Sequence, residues 1–285
     1  MLQDLEYGRL ENEYRPLPPL DSDYVLCFRG QEVLLRRSPD NTLSLPTVAL
    51  VKVWQRHWTS WDTGKLRFLF RLHGVGYYLF PGESGDAPAP YGYERARALR
   101  QTVSREVCYA ILTGWHLFCW YRGNRFCGCC GRKTVHSETE RALRCESCGN
   151  LIFPRINPVV IVAVTDGDRL LLSRYAGRSY THYALLAGYT EIGETMEQAA
   201  AREVMEEVGV KIKNLRYYKS QPWGVDGNIL MGFFCDLDGD STIHLDRTEL
   251  SHAGWYDRRS LPIGDDGFSL TREMIRIFGE GKEPK

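Results

Sequence analysis

Three glutamates, Glu203, Glu206 and Glu207, limit what this chain can fold into more than any other feature. Spaced i, i+3 and i+4, they project together from one face of a helix. Carboxylates so close repel, and the usual resolutions are arginine partners or hard cations such as Mg²⁺ or Mn²⁺ that take oxygen ligands. The helix that carries them is bounded by its own sequence. Thr195 with Gln198 makes a capping box, Met196, Ala199, Ala200, Val204 and Val208 supply an apolar side, and Gly209 suits the position just past the end. Ahead of the cap, Gly188 and Gly193 bracket a loop that can bring backbone close to a phosphate. Arg202, beside Glu203 and one turn before Glu206, can orient at least one carboxylate by an ion pair while the others face metal.

A second pattern is written in cysteine. Cys127 and Cys130, then Cys145 and Cys148, form two C-x2-C knuckles, each followed by a glycine, Gly131 and Gly149, that can turn the chain around a metal. This is the signature of a zinc ribbon. Four thiolates close the coordination sphere and leave no position for water, so Zn²⁺ here is expected to be structural. Cys129 lies inside the first knuckle and could compete, although Cys130 fits the spacing better. Cys27, Cys108, Cys119 and Cys235 sit in apolar stretches and read as small packing residues.

With 285 residues the chain exceeds one typical domain, and the motifs divide it into an N-terminal domain (1–122), a zinc ribbon (123–152) and a C-terminal catalytic domain (153–285). Its 36 basic and 36 acidic residues balance, so any attraction to a membrane or nucleic acid must be local. The opening MLQDLEYGRLENEYRPLPPL lacks an apolar h-region, and the nine cysteines are an odd number, which together lead to an expectation of reduced thiols in the cytoplasm. The longest uncharged run, Val107–Tyr121, is 15 residues, too short to span a bilayer, and reads as a buried helix.

In the N-terminal domain, Tyr24–Arg37 and Leu66–Phe80 have the β-branched, aromatic and glycine texture of hairpins. A proline- and glycine-rich loop, PGESGDAPAPYG, then precedes a helical stretch expected from about Tyr93 to Tyr121. Past the ribbon, the run 159–164 is apolar on both faces and belongs at the centre of a sheet, and Asp166-Gly167 between apolar runs predicts a hairpin. Ala184–Ala187 is the approach strand to the glutamate helix. Further strands are expected at Leu215–Lys219, Leu230–Leu237 and Ala253–Tyr256, with a closing helix at Leu270–Phe278.

Gly188, five residues, Glu194, seven residues, then Arg202-Glu203-Val204-Met205-Glu206-Glu207-Val208-Gly209-Val210 resembles the complete box of the Nudix hydrolases. A four-cysteine ribbon just before it, and Ser220-Gln221-Pro222-Trp223 after it, is similar to the NAD(H) pyrophosphatase members of that family over most of residues 120–285. The resemblance implies an α+β chain: a Nudix α/β/α sandwich with a mixed sheet, preceded by a zinc ribbon and a separate N-terminal α+β domain. It implies that Glu203, Glu206 and Glu207 hold Mg²⁺ or Mn²⁺, that Glu194 supports them, and that Glu249 is a further metal ligand or general base. Tyr189 would stack on a base of a dinucleotide, with Gly188, Ser220, Gln221 and Trp223 at the same pocket, and the enzyme would be a homodimer. The family's signature continues past SQPW with prolines, whereas this chain has Gly224-Val225-Asp226-Gly227-Asn228, which predicts a flexible loop and an altered preference among dinucleotides.

Three readings follow. The first is hydrolysis of NAD(H) to AMP and nicotinamide mononucleotide, and the second is the same chemistry on another diphosphate such as ADP-ribose. In the third, the ribbon binds RNA and presents NAD-capped ends, because residues 122–155 hold seven basic residues against three acidic ones.

Overall fold

The computed structural model describes residues 1–5, 9–56, 62–81, 88–96, 99, 103–177, 182–262 and 267–285. Contacts divide the chain into two units. One holds Leu2–Arg155 with Gly224–Gly227, the other Met1, Ile156–Trp223 and Asn228–Lys285.

In chain order the first unit contains β1 (Leu10–Glu11), β2 (Tyr24–Leu26), β3 (Phe28–Arg29), β4 (Glu32–Arg37), β5 (Leu43–Ser44), α1 (Val48–Gln55), β6 (Arg67–Leu72), β7 (Val75–Leu79), β8 (Tyr91–Arg95), α2 (Arg105–Gly123), β9 (Val135–His136), β10 (Leu143–Arg144) and β11 (Leu151–Ile152). Both predicted hairpins form: β3 and β4 turn at Gly30, and β6 and β7 turn at His73-Gly74, where both residues have positive φ. The helix expected from Tyr93 starts later. Tyr91–Arg95 instead pairs with β4, as the alternation of Tyr91 and Tyr93 around Gly92 allows, and α2 begins only where Ser104 accepts a hydrogen bond from the Val107 amide. Half of the proline- and glycine-rich loop, residues 82–87, lies outside the described residues. The uncharged run fills the inner side of α2, where Ala110, Ile111, Leu117, Phe118 and Tyr121 pack on Leu26, Phe28, Leu69 and Phe70. Burying a side chain of this size contributes about 1.5–3 kcal/mol. Among the described residues no helix is long and apolar enough to cross a membrane.

The second unit contains β12 (Asn157–Asp166), β13 (Arg169–Tyr175), β14 (Leu186–Tyr189), α3 (Met196–Val208), β15 (Ile212–Trp223), β16 (Asn228–Leu237), β17 (Leu250–Asp257) and α4 (Leu270–Gly279). Its sheet runs β15-β16-β12-β13-β17, with β14 also on β12, and only the β12–β16 pair is parallel. This is the mixed sheet of the sandwich. Strand alternation sends Val159, Ile161 and Ala163 to one face, against Leu270, Met274 and Phe278 of α4. It sends Val160, Val162 and Val164 to the other, against Ala199, Ala200, Val204 and Val208 of α3. The hairpin after β12 turns at Gly167 and Asp168, one residue later than Asp166-Gly167 suggests. β15 is longer than predicted and carries Ser220–Trp223 into the sheet, and Pro222 is tolerated because β15 is an edge strand.

Candidate active site

The glutamate helix is built as its sequence dictates. Thr195 Oγ1 accepts from the Gln198 amide, the Gln198 side chain accepts from the Thr195 amide, and Gly209 ends the helix at φ 71°. The apolar side faces β12, which turns Glu203 and Glu207 inward: they are 9% and 2% exposed, whereas Glu206 faces solvent. A solvated acidic face would leave all three in water. Two buried carboxylates on a short helix require a positive partner instead.

Arg202 supplies part of it. Its Nη1 donates to Glu203 Oε1 at 2.7 Å and Glu206 Oε2 at 2.9 Å, while Nε and Nη2 form a fork on Glu194 at 2.8 and 2.9 Å. Nη2 also donates to the Tyr189 carbonyl at 2.9 Å, tying β14 to the helix. Hydrogen bonds from Arg202, with one from the Glu191 amide, lower the Glu194 carboxyl to about 2. Glu203 is shifted the other way: burial raises it, and repulsion from Glu206 and Glu249 outweighs part of what Arg202 gives back. Glu249 lies in an exposed turn before β17, and its negative charge adds to the repulsion felt at Glu203.

Gly188 explains how the carboxylate fits under β14. A Cβ there would stand 1.9 Å from the Glu203 carboxyl carbon, so the space a side chain would fill holds the carboxylate. This donor set suits hard divalent cations: carboxylate oxygens, two of them buried, with more negative charge than one guanidinium neutralises. Gly188→Ala is expected to fold, because the clash is with the end of a movable side chain, but to lower kcat about 10²-fold by displacing Glu203. Thermal melts and kcat at saturating Mg²⁺ test this, and near-normal turnover would show that Glu203 need not occupy that space.

Next to Gly188, at the end of β14, the Tyr189 ring is 54% exposed and its hydroxyl accepts from Asn228 Nδ2 at 3.3 Å. Asn228 itself is buried and had no signal in the sequence beyond closing the altered loop. The residues after β14 differ in fate. Ser220 is half-buried and Trp223 packs into the core below α4. Gln221 does not line a pocket: it is fully buried, donates to the Phe268 carbonyl at 2.7 Å and accepts from the Leu270 amide at 2.8 Å, so its amide braces the start of α4. The flexible loop expected after Trp223 is also corrected. Gly224 packs so close to α2 that a Cβ would stand 2.2 Å from the Leu112 carbonyl oxygen, so glycine serves close approach there.

The four predicted cysteines of the ribbon converge. All four Sγ atoms lie within 4.8 Å of one another, and the pairs Cys127–Cys148 and Cys130–Cys145 approach to 3.6 and 3.4 Å, as the edges of a Zn–S tetrahedron require. Cys129 points outside this set. The knuckles repeat one backbone pattern: Gly131 N to Cys127 O and Gly149 N to Cys145 O, both 2.8 Å. Amides of Cys129 and Cys130 lower the Cys127 thiol to about 6, and Asn150 Nδ2, which the spacing alone did not single out, donates to its sulfur at 3.6 Å. A site so prepared for thiolates fits structural Zn²⁺.

Residues 155–275 match the NUDIX domain family, and residues 122–153 match the NADH pyrophosphatase zinc ribbon domain. The NAD-capped RNA hydrolase NudC of Erwinia tasmaniensis is 40% identical over 180 residues, which cover 62% of this chain and 69% of that protein. Proteins of the same name from Yersinia pestis and Pectobacterium atrosepticum are 42% and 41% identical over 186 and 180 residues, covering 65% and 62% of this chain and 71% and 69% of theirs. Likeness of this degree, running through both the ribbon and the glutamate helix, means that the chain belongs to the Nudix hydrolase family, in its NAD(H) pyrophosphatase or NudC-type branch.

Proposed function

We propose that this protein hydrolyses the pyrophosphate of NAD(H), giving AMP and nicotinamide mononucleotide. The observation that carries the reading is the glutamate face of α3, with Glu203 and Glu207 buried, Glu203 and Glu206 held by Arg202, and the Glu203 carboxylate seated under Gly188. Glu203, Glu206, Glu207 and Glu249 would hold Mg²⁺ or Mn²⁺. Bound there, such cations neutralise charge on the pyrophosphate and make a water acidic enough to attack. Arg202 fixes the Glu203 and Glu206 carboxylates by hydrogen bonds, which would set them for a cation, and Glu194 anchors Arg202 in turn. Glu249, an exposed carboxylate outside the helix, suits proton removal from the attacking water. The half-exposed Tyr189 ring offers a stacking face for nicotinamide or adenine.

The relatives, NAD-capped RNA hydrolases by name, support a second substrate, RNA carrying an NAD cap, for the same centre. Homodimer formation and a cytoplasmic setting rest on family likeness. The test is kcat/KM for NADH, NAD⁺, ADP-ribose and an NAD-capped RNA on one preparation with Mg²⁺ or Mn²⁺. NADH is expected to give AMP and nicotinamide mononucleotide. A tenfold preference for ADP-ribose would overturn the reading, since a site that stacks nicotinamide gains nothing from a ligand lacking it.

A further inference from the structure

The unit of Leu2–Arg155 contains an open cavity of about 700 Å³ that the hydrolytic reading does not use. Its walls come from β6, the end of α2 and the first ribbon knuckle, and they carry Arg67, Arg122, Arg125 and Lys133. Among the described residues none of the four is in an ion pair, and no acidic residue lines the cavity. Arg122, in the last turn of α2, also complements the helix dipole. Arg67, Arg125 and Lys133 have no such reason to be there. A fifth cation, Arg141, stands 5.3 Å from the Tyr14 ring behind the wall, and its buried Nη1 has no hydrogen-bond partner.

The cavity also presents rings. Phe126 is 60% exposed at its rim, and Tyr121 forms its floor, with the Arg67 guanidinium 4.9 Å from the ring centroid. His136 adds no carboxylate-like acceptor. Its Nδ1 donates to the Ser137 carbonyl at 2.7 Å, so Nε2 is left to accept from the Tyr121 hydroxyl, also at 2.7 Å. Like charges gathered without counter-charge repel one another, and a bound polyanion is what relieves them. A ligand that meets four cations and an exposed ring must be both anionic and planar, and the volume suits one nucleotide with its phosphates.

We propose that this basic, ring-lined cavity between β6, α2 and the first knuckle of the ribbon binds a phosphorylated nucleotide. Two sources share that chemistry: a free nucleoside diphosphate, or one nucleotide step of a single RNA strand.

The experiment uses the full-length, zinc-loaded protein without added Mg²⁺ or Mn²⁺. Two probes are titrated, ADP and a fluorescent ten-nucleotide RNA with a 5′-monophosphate and no NAD cap. The double variant Arg125→Gln/Lys133→Gln is compared with the native protein, and Arg67→Gln, on β6 and away from the knuckles, repeats the comparison should the double variant lose zinc. Binding of at least one probe is expected to weaken 10-fold or more in a variant that keeps its zinc, its melting temperature and its NADH turnover. Loss for RNA, with a shallower salt dependence, assigns the site to a strand. Loss for ADP alone assigns it to a free nucleotide. Unchanged affinity for both probes in folded variants overturns the proposal, whereas absence of NADH hydrolysis by the native protein would count against the hydrolytic reading alone.

Discussion

Glu203→Gln is expected to separate stability from activity. In the metal-free protein the Glu203 carboxyl is raised by burial and by its neighbours Glu206 and Glu249, so folding favours its protonated form. The stability such a group contributes is present in acid, below the ordinary glutamate value, and is lost as pH rises through the raised one. At pH 7 the carboxylate is therefore held charged at a cost. Glutamine has the same shape, can accept from Arg202 Nη1, and carries no charge to desolvate. The variant should melt at a higher temperature than the native protein at pH 7 without added Mg²⁺ or Mn²⁺, and the gap should close as pH falls below about 4.5. Turnover at saturating Mg²⁺ should drop by at least about 10²-fold, the loss of one strong contact to the transition state. Glu206→Gln should match the kinetic loss with little change in melting, because Glu206 faces solvent. A lower melting temperature for Glu203→Gln, or more than a tenth of native turnover in either variant, would remove the proposed roles.

Cys145→Ser is expected to have the largest effect on structure. Cys145 is fully buried, its sulfur lies 3.4 Å from that of Cys130, and its knuckle is held by single hydrogen bonds from Cys145 N to Asn150 O and from Gly149 N to Cys145 O. Strands β9, β10 and β11 are two residues each, too short to hold the ribbon together by pairing. Structural zinc contributes on the order of 10 kcal/mol to small domains that depend on it. Losing even a third of that would lower the melting midpoint by roughly 10 °C. Zinc content by elemental analysis and a thermal melt check this together. A zinc-free variant that melts with the native protein would show that the ribbon needs no metal.

The legible parts of this chain were those where local physics decides. The capping box, the left-handed Gly209 and the four cysteines are set by a few adjacent residues, and each appears where the spacing puts it. The apolar run 159–164 also announced its place, since only a strand covered on both faces has no polar side. What the sequence hid depends on distant partners. Tyr93 becomes a strand because β4 is there to pair with it, a contact across about sixty residues. Gln221 reads as a binding residue until the start of α4 is found to consume its amide. Gly224 reads as flexible until the Leu112 carbonyl is found against it. Gly188 is the reverse case, a position whose motif was plain but whose reason, the Glu203 carboxylate in the place of a side chain, is visible only in three dimensions.

The arginine clamp has a consequence for stoichiometry. If the proposed roles hold, Glu194, Glu203, Glu206, Glu207 and Glu249 bring five carboxylates to the site, against which, among the described residues, Arg202 sets its one positive charge on Glu194, Glu203 and Glu206, so four negative charges would remain with all ionised. Two dications would balance that charge and leave nothing over for the substrate. The pyrophosphate of NAD(H) brings about two further negative charges, so it enters a neutral site only in company with another dication. Uptake of substrate and uptake of cation are then one linked equilibrium, and the apparent affinity for the dinucleotide is set as much by free Mg²⁺ or Mn²⁺ as by the residues that touch it.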